Sequence, residues 1–143
     1  MTFTVDHKKL KKGIYKDEIT YDIRTVVPYK EPLMSNVCMH SIEHILAVKL
    51  NEKINKIYFG PMGCQTGFYL LSDNKPEEVY QALYDASIEA LNEKTVPFKS
   101  RAECGNYFSL DFSDEVKEKL EIIKDLAKEI LDNPGCFVYP IIE

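Results

Sequence analysis

The stretch "CMHSIEHILAVKL", Cys38 to Leu50, sets two histidines and a glutamate within an otherwise apolar run. Its apolar residues recur at Met39, Ile42, Leu46 and Leu50, the three- and four-residue steps of an amphipathic helix. On such a helix, residues four apart stack on one face with Cβ atoms about 5–6 Å apart, so the imidazoles of His40 and His44 can point at one atom. That is a metal-ligand spacing. The plainer alternative is a set of polar residues on the solvent side of the helix. It fits less well, because His40 and His44 are two of only three histidines in the chain. Two ligands do not make a site, so its remainder has to lie elsewhere in the sequence.

The helix is expected to start near Ser35 or Asn36, shortly after Pro32, and to end around Asn55. Upstream, "ITYDIRTVV" alternates Ile19, Tyr21, Ile23, Thr25 and Val27 against Thr20, Asp22 and Arg24. This is the period-two mark of a half-buried strand, with Asp22 and Arg24 on a shared face. Downstream, "KIYF" and "TGFYLLS" read as short strands around "GPMGC", where Gly60, Pro61 and Gly63 are expected to break regular structure. A second helix opens at Asn74, with Pro76 and the acidic pair Glu77 and Glu78 in its first turn; it buries Val79, Leu83, Ala86 and Ala90 and stops before Pro97. A third begins at Ser113 and buries Val116, Leu120, Ile123, Ala127 and Ile130, until Asn133, Pro134 and Gly135 end it. The order strand, helix, strand, strand, helix, helix predicts an α+β fold, an antiparallel sheet packed against helices with the metal site on the first helix.

With 143 residues, 45% of them hydrophobic, and no Gly/Ser-rich linker, residues 1–143 are expected to form a single domain. A net charge of −5 argues against nucleic-acid binding, which depends on clustered Lys and Arg. The one basic run, Lys8 to Lys12, reads as solvated surface. No window approaches the roughly 20 apolar residues of a membrane span. The start, "MTFTVDHKKLKKG", lacks the apolar region of a secretory signal, so a cytoplasmic location is expected. Cys38, Cys64, Cys104 and Cys136 are then free thiols, ligands or nucleophiles sooner than disulfide partners.

"RAECGNY" offers a third ligand. Cys104 sits in a polar loop before Gly105, a setting that can expose a thiolate, whereas Cys136 in "PGCFVYP" looks structural. Two histidines and one thiolate leave the fourth tetrahedral position open, as catalytic sites do. Nothing in the sequence measures their separation. Glu43, next to His44, projects near the metal face and could carry protons or simply be a surface charge. Cys64 lies on the turn between two apolar strands, either buried or activated by a nearby dication.

His40-Ser41-Ile42-Glu43-His44, the run Pro61-Met62-Gly63-Cys64-Gln65-Thr66-Gly67-Phe68-Tyr69 and Cys104-Gly105-Asn106-Tyr107 together resemble the S-ribosylhomocysteine lyase (LuxS) family. Phe3-Thr4-Val5-Asp6-His7 and Tyr21-Asp22-Ile23-Arg24 add two matching blocks in the family's order. The resemblance implies a lyase with one divalent metal per subunit, iron(II) natively or zinc, held by His40, His44 and Cys104. It implies Glu43 and Cys64 as acid/base residues, His7 and Arg24 as substrate contacts, and a homodimer whose active sites draw on both subunits. The implied reaction cleaves the thioether of S-ribosylhomocysteine to homocysteine and 4,5-dihydroxy-2,3-pentanedione, a step of the activated methyl cycle and of autoinducer-2 synthesis used in quorum sensing. The chain departs from the family pattern at Thr2, where serine is usual, and at Tyr58 and Gly60, where Asp and Ser are common. It is also short between His7 and Tyr21 and ends differently, in "FVYPIIE".

Two other readings compete. His-x-x-Glu-His, as His40 to His44 spell it, is also the inverzincin signature of certain zinc peptidases, in which the glutamate activates a metal-bound water. Those enzymes are expected to recruit a downstream carboxylate, and Cys64 would have no task. The other is a relative that keeps the site, either a lyase with an altered thioether substrate or a non-catalytic metal-binding or dimeric interaction protein without turnover; the presence of both Glu43 and Cys64 argues against the latter.

Overall fold

The computed structural model describes residues 4–142, so Thr2, one of the departures from the family pattern, and Phe3, which opens the N-terminal resembling block, lie outside the described residues. In chain order the elements are β1 (Gly13–Asp17), β2 (Thr20–Arg24), α1 (Asn36–Asn51), β3 (Lys56–Pro61), β4 (Gly67–Ser72), α2 (Pro76–Glu93), a 3-10 turn (Tyr107–Ser109) and α3 (Asp114–Asp132). The strands form one antiparallel sheet in the order β1-β2-β4-β3. This is the α+β architecture that the sequence predicts. Tyr21 and Ile23 of β2 and Phe68 and Leu70 of β4 turn one face of the sheet into a common core with Ile42, Leu46 and Leu50 of α1, Leu83 and Ala86 of α2, and Leu120 and Ile123 of α3.

The helix ends follow from local chemistry. Ser35 Oγ accepts from the amide of Cys38 at 3.1 Å and Ser113 Oγ from that of Val116 at 3.2 Å, each satisfying an otherwise orphaned N–H. Ser35 also donates to Glu115 at 2.5 Å, tying the start of α1 to the start of α3. Helix α1 stops at Asn51, a turn short of the expected Asn55, because the amides of Lys53 and Ile54 both fold back onto the carbonyl of Leu50. Ile54 can then join the core from outside the helix. Helix α2 is closed by Lys94 in the left-handed region, φ 56°.

Three sequence expectations are corrected. Strand β1 was not foreseen: it is five residues long, lies among lysines, and buries Gly13, Ile14 and Tyr15 consecutively, which hides any period of two. The alternation around Ile19 is shorter than it looks, since β2 ends at Arg24 and Ile19 sits in the β1–β2 turn, 43% exposed, beside Glu18 at φ 52°. Gly60 and Pro61 do not break β3 but complete it. β3 is an edge strand, where a proline at the end sacrifices no ladder hydrogen bond the sheet requires. Among the described residues no helix is long and apolar enough to cross a membrane.

Candidate functional site

The four-residue step along α1 brings the His40 and His44 rings together at 4.6 Å between centroids, nearly perpendicular at 88°. Each ring is anchored through Nδ1. His40 Nδ1 meets the Ser109 hydroxyl at 2.7 Å and the Ser109 carbonyl at 3.2 Å, and His44 Nδ1 donates to the Pro97 carbonyl at 3.0 Å. A carbonyl can only accept, so the ring proton sits on Nδ1 in both cases and the Nε2 lone pairs are left for another acceptor of electrons.

Cys104 joins them from the loop after α2. Its amide donates to the Ser100 carbonyl at 2.9 Å, and its sulfur lies 3.5 Å from His40 Nε2 and accepts from the amide of Asn106 at 3.4 Å. One donor atom from each of His40, His44 and Cys104 lies within 4.8 Å of the other two, all at half-buried positions. Small side-chain adjustments bring the three round one ion with bonds of about 2.0–2.3 Å. Two oriented imidazoles and a thiolate are a donor set that suits a borderline dication. Glu43 is half-buried and borders, with His44, Phe98 and Glu103, a depression of about 310 Å³.

A second cluster forms where β2 meets the β3–β4 loop. The amide of Met62 donates to Gly67 at 2.9 Å and that of Gln65 to Met62 at 3.0 Å, with Gln65 at φ 65°, so Cys64 rides on the exposed tip of a tight loop. Arg24 and Asp22, 4% and 3% exposed, form a forked ion pair: Nε donates to Oδ1 at 2.6 Å and Nη2 to Oδ2 at 3.0 Å. The remaining arm, Nη1, donates to Thr66 Oγ1 at 2.7 Å and stands 3.7 Å from Cys64 Sγ, itself 3.0 Å from Thr66 Oγ1. Partial burial pushes the Cys64 thiol up, but the hydrogen bonds of Thr66 and the positive charge of Arg24 outweigh it and hold the thiol below its ordinary value. Burial likewise opposes the charge on Arg24, and Asp22 more than restores it.

Arg24, Cys64, Thr66, His7, Tyr29 and Glu31 line one cavity of about 420 Å³. None of its residues borders the depression beside Glu43 and His44. A single chain therefore brings His40, His44 and Cys104 together and, separately, His7, Arg24 and Cys64. Ser109, Pro97 and Thr66 were not foreseen. The first two act through position alone, without a residue-type signal, whereas Thr66 stands two residues from Cys64 within a singled-out run.

The family model described as S-ribosylhomocysteinase (LuxS) matches residues 1–134 of the chain. An S-ribosylhomocysteine lyase of Desulfotalea psychrophila is 39% identical over 94% of this chain and 97% of its own length. A lyase of the same name from Finegoldia magna is 36% identical over 93% and 96%, and one from Borreliella burgdorferi is 38% identical over 93% and 97%.

Proposed function

The chain belongs to the S-ribosylhomocysteinase (LuxS) family, and on that premise we propose that it is a carbon–sulfur lyase cleaving S-ribosylhomocysteine to homocysteine and 4,5-dihydroxy-2,3-pentanedione. The observation that carries the proposal is the activated thiol: Cys64 at the mouth of a cavity, in contact with Arg24 and Thr66. The substrate begins with its carbonyl at C1 of the ribose. Two aldose–ketose shifts carry it to C3, each taking a proton from a carbon α to the carbonyl and returning one to the neighbouring carbon. A final proton loss at C4 then expels the homocysteine thiolate from C5, with no oxidation or reduction overall.

Cys64 is assigned the role of base in these transfers, since a thiol held below its ordinary value gives up its proton more readily than a free one. Glu43 is assigned the second proton-carrying post, on the side of His44. Arg24 and His7 hold the substrate from the cavity wall. His40, His44 and Cys104 are assigned as the residues that would hold a divalent ion, iron(II) natively or zinc, which would supply Lewis-acid polarisation of sugar oxygens.

The proposal extends to a homodimer. Because the cavity of Cys64 and the depression of Glu43 are separate within one chain, a complete site takes Cys64, Arg24 and His7 from one subunit and Glu43, His40, His44 and Cys104 from its partner. Exposed apolar side chains near both sets, Tyr29 and Leu33 on one and Phe98 and Phe108 on the other, suit such an interface. We place this dimer in the cytoplasm, supplying the diketone precursor of a signalling molecule while returning homocysteine to the methyl cycle. The deciding experiment incubates metal-loaded protein with S-ribosylhomocysteine and reads released thiol. Absence of thiol, or hydrolysis of peptides instead, overturns the proposal.

A further inference from the structure

After α3 the chain crosses the face of the sheet that does not carry the helices. There Phe137 fills the space left by Gly13 on β1, where a Cβ would come within 2.7 Å of the Phe137 ring. Tyr139 stacks on Tyr15, centroids 4.8 Å apart and planes at 22°. Its hydroxyl donates to Asp22 Oδ2 at 2.6 Å, the oxygen that also accepts from Arg24 Nη2. Two residues on, the segment pairs with the beginning of the chain: Val5 and Ile141 form an antiparallel bridge, the amide of Asp6 donates to Pro140 at 2.7 Å, and that of Ile142 to Thr4 at 2.9 Å. The stretch leading into His7 is thus held by the segment that carries Tyr139.

We propose that Tyr139 is a positioning residue for the Cys64 thiol: its hydroxyl fixes Asp22, Asp22 fixes the Arg24 guanidinium, and Arg24 is thereby aimed at Cys64 and Thr66. The inference rests on the reading of Cys64 as a proton carrier. A guanidinium offers its donors in one plane, so the orientation of the Asp22 carboxylate sets the direction of Nη1. An aspartate with a free oxygen can turn about its terminal torsion, which is broad. Arg24 engages both oxygens of Asp22, and Tyr139 adds a third bond, to Oδ2, that ties the ion pair to the segment crossing the sheet and limits its turning. Its proton also shares the charge of Asp22, leaving more of the Arg24 charge to act on the sulfur. The donor is durable, since burial and the adjacent Asp22 carboxylate hold the Tyr139 phenol far above its ordinary value. Other titratable groups face this assembly: Tyr15 from β1, Tyr69 from β4, and His7 and Glu31 on the cavity wall. Contact with the sulfur itself is made by Arg24 and Thr66.

Tyr139→Phe tests the inference, because it keeps the ring stacked on Tyr15 and the backbone pairing and deletes one oxygen. The measurement is the rate of Cys64 alkylation by iodoacetamide against pH, followed by mass spectrometry, alongside turnover, KM and metal content. The expected result is a Cys64 titration about half to one unit higher, a several-fold fall in kcat/KM, and an unchanged metal content. A variant that melts at lower temperature but titrates as wild type shows a merely structural role and overturns the inference. Tyr139→Ala also loses the ring and is expected to be less stable, with Cys64 shifted in the same direction; a folded Ala variant with a wild-type titration overturns it equally. Because alkylation is read without substrate, a shifted titration in a protein that releases no thiol supports the positioning of Cys64 while refuting the lyase reading.

Discussion

The hydroxyl of Tyr58 lies over the Cα of Gly60, in the space where any side chain at residue 60 would begin. Both residues project to one side of edge strand β3, two positions apart. The two departures from the family pattern therefore meet in space, the half-exposed Tyr58 ring occupying the place of a residue-60 side chain. Gly60→Ser is expected to displace the half-exposed Tyr58 ring at a cost of about 0.5–1.5 kcal/mol, and to cost less in a Tyr58→Asp background. Chemical denaturation of the four proteins checks this, and additive costs refute it. Tyr58→Asp also reintroduces a carboxylate for the ammonium of the homocysteine moiety. A charged hydrogen bond of about 1.5–3 kcal/mol lowers KM for S-ribosylhomocysteine roughly ten- to a hundredfold with little change in kcat. If KM does not move, Tyr58 has no part in recognition.

Metal content reports on the ligand set. Cys104→Ala, His40→Ala and His44→Ala are each expected to lose the ion, because among the described residues three side chains are gathered to hold it under the proposal. Ser109→Ala should weaken binding by about 10–100-fold, since it removes one of the two groups orienting His40 Nδ1. Elemental analysis after dialysis separates these outcomes. Full occupancy in Cys104→Ala would place the third ligand elsewhere.

Thiol chemistry gives a pH-dependent signature. Cys64 is exposed and held below its ordinary value, whereas burial pushes Cys38 up to about 12 and, with Glu129, raises Cys136. Iodoacetamide should therefore label Cys64 well before Cys38 and Cys136 in metal-loaded protein. The same shift is linked to stability. A thiol whose folded value lies below its unfolded value adds stability that is complete above the unfolded value and disappears as pH falls through the folded one. The advantage of wild type over Cys64→Ser should accordingly be larger at about pH 9 than at about pH 6. Equal differences at both would contradict the direction of the shift.

The proposed sharing of active sites between subunits predicts complementation. In a mixed dimer of Cys64→Ala and His44→Ala chains, one site combines the intact metal ligands of the first with the intact Cys64 of the second. Refolding an equal mixture of two inactive variants should restore roughly a quarter of wild-type turnover, from half the dimers with one good site each. No recovery, with dimers formed, would mean that each site lies within one chain.

The three helices were legible because their signals are local. Ser35 and Ser113 cap, Pro76 starts, and Met39, Ile42, Leu46 and Leu50 mark a face, all within windows of a few residues. The same locality put His40 beside His44. What could not be read depends on meetings between distant segments. Strand β1 exists because Gly13 to Asp17 pair with Thr20 to Arg24, and its own residues show no alternation. The alternation puts Asp22 and Arg24 on one face, but it does not show what covers that face. Both are buried, in part because Tyr139, 117 residues from Asp22, reaches back to them. The partners of the imidazoles, Ser109 and Pro97, come from irregular segments that no period describes.

The pairing of Thr4, Val5 and Asp6 with Pro140, Ile141 and Ile142 also bears on synthesis. On the ribosome, the sheet and α1 can assemble from residues 13–72 long before residues 140–142 emerge. The segment leading into His7 has to wait for them, and closing so long a loop comes late in folding. A nascent or prematurely terminated chain can thus acquire its hydrophobic core while the Cys64 cavity is still unfinished. Completion of the wall that carries His7 therefore depends on synthesis having passed residues 140–142, well after the sheet and α1 have been made.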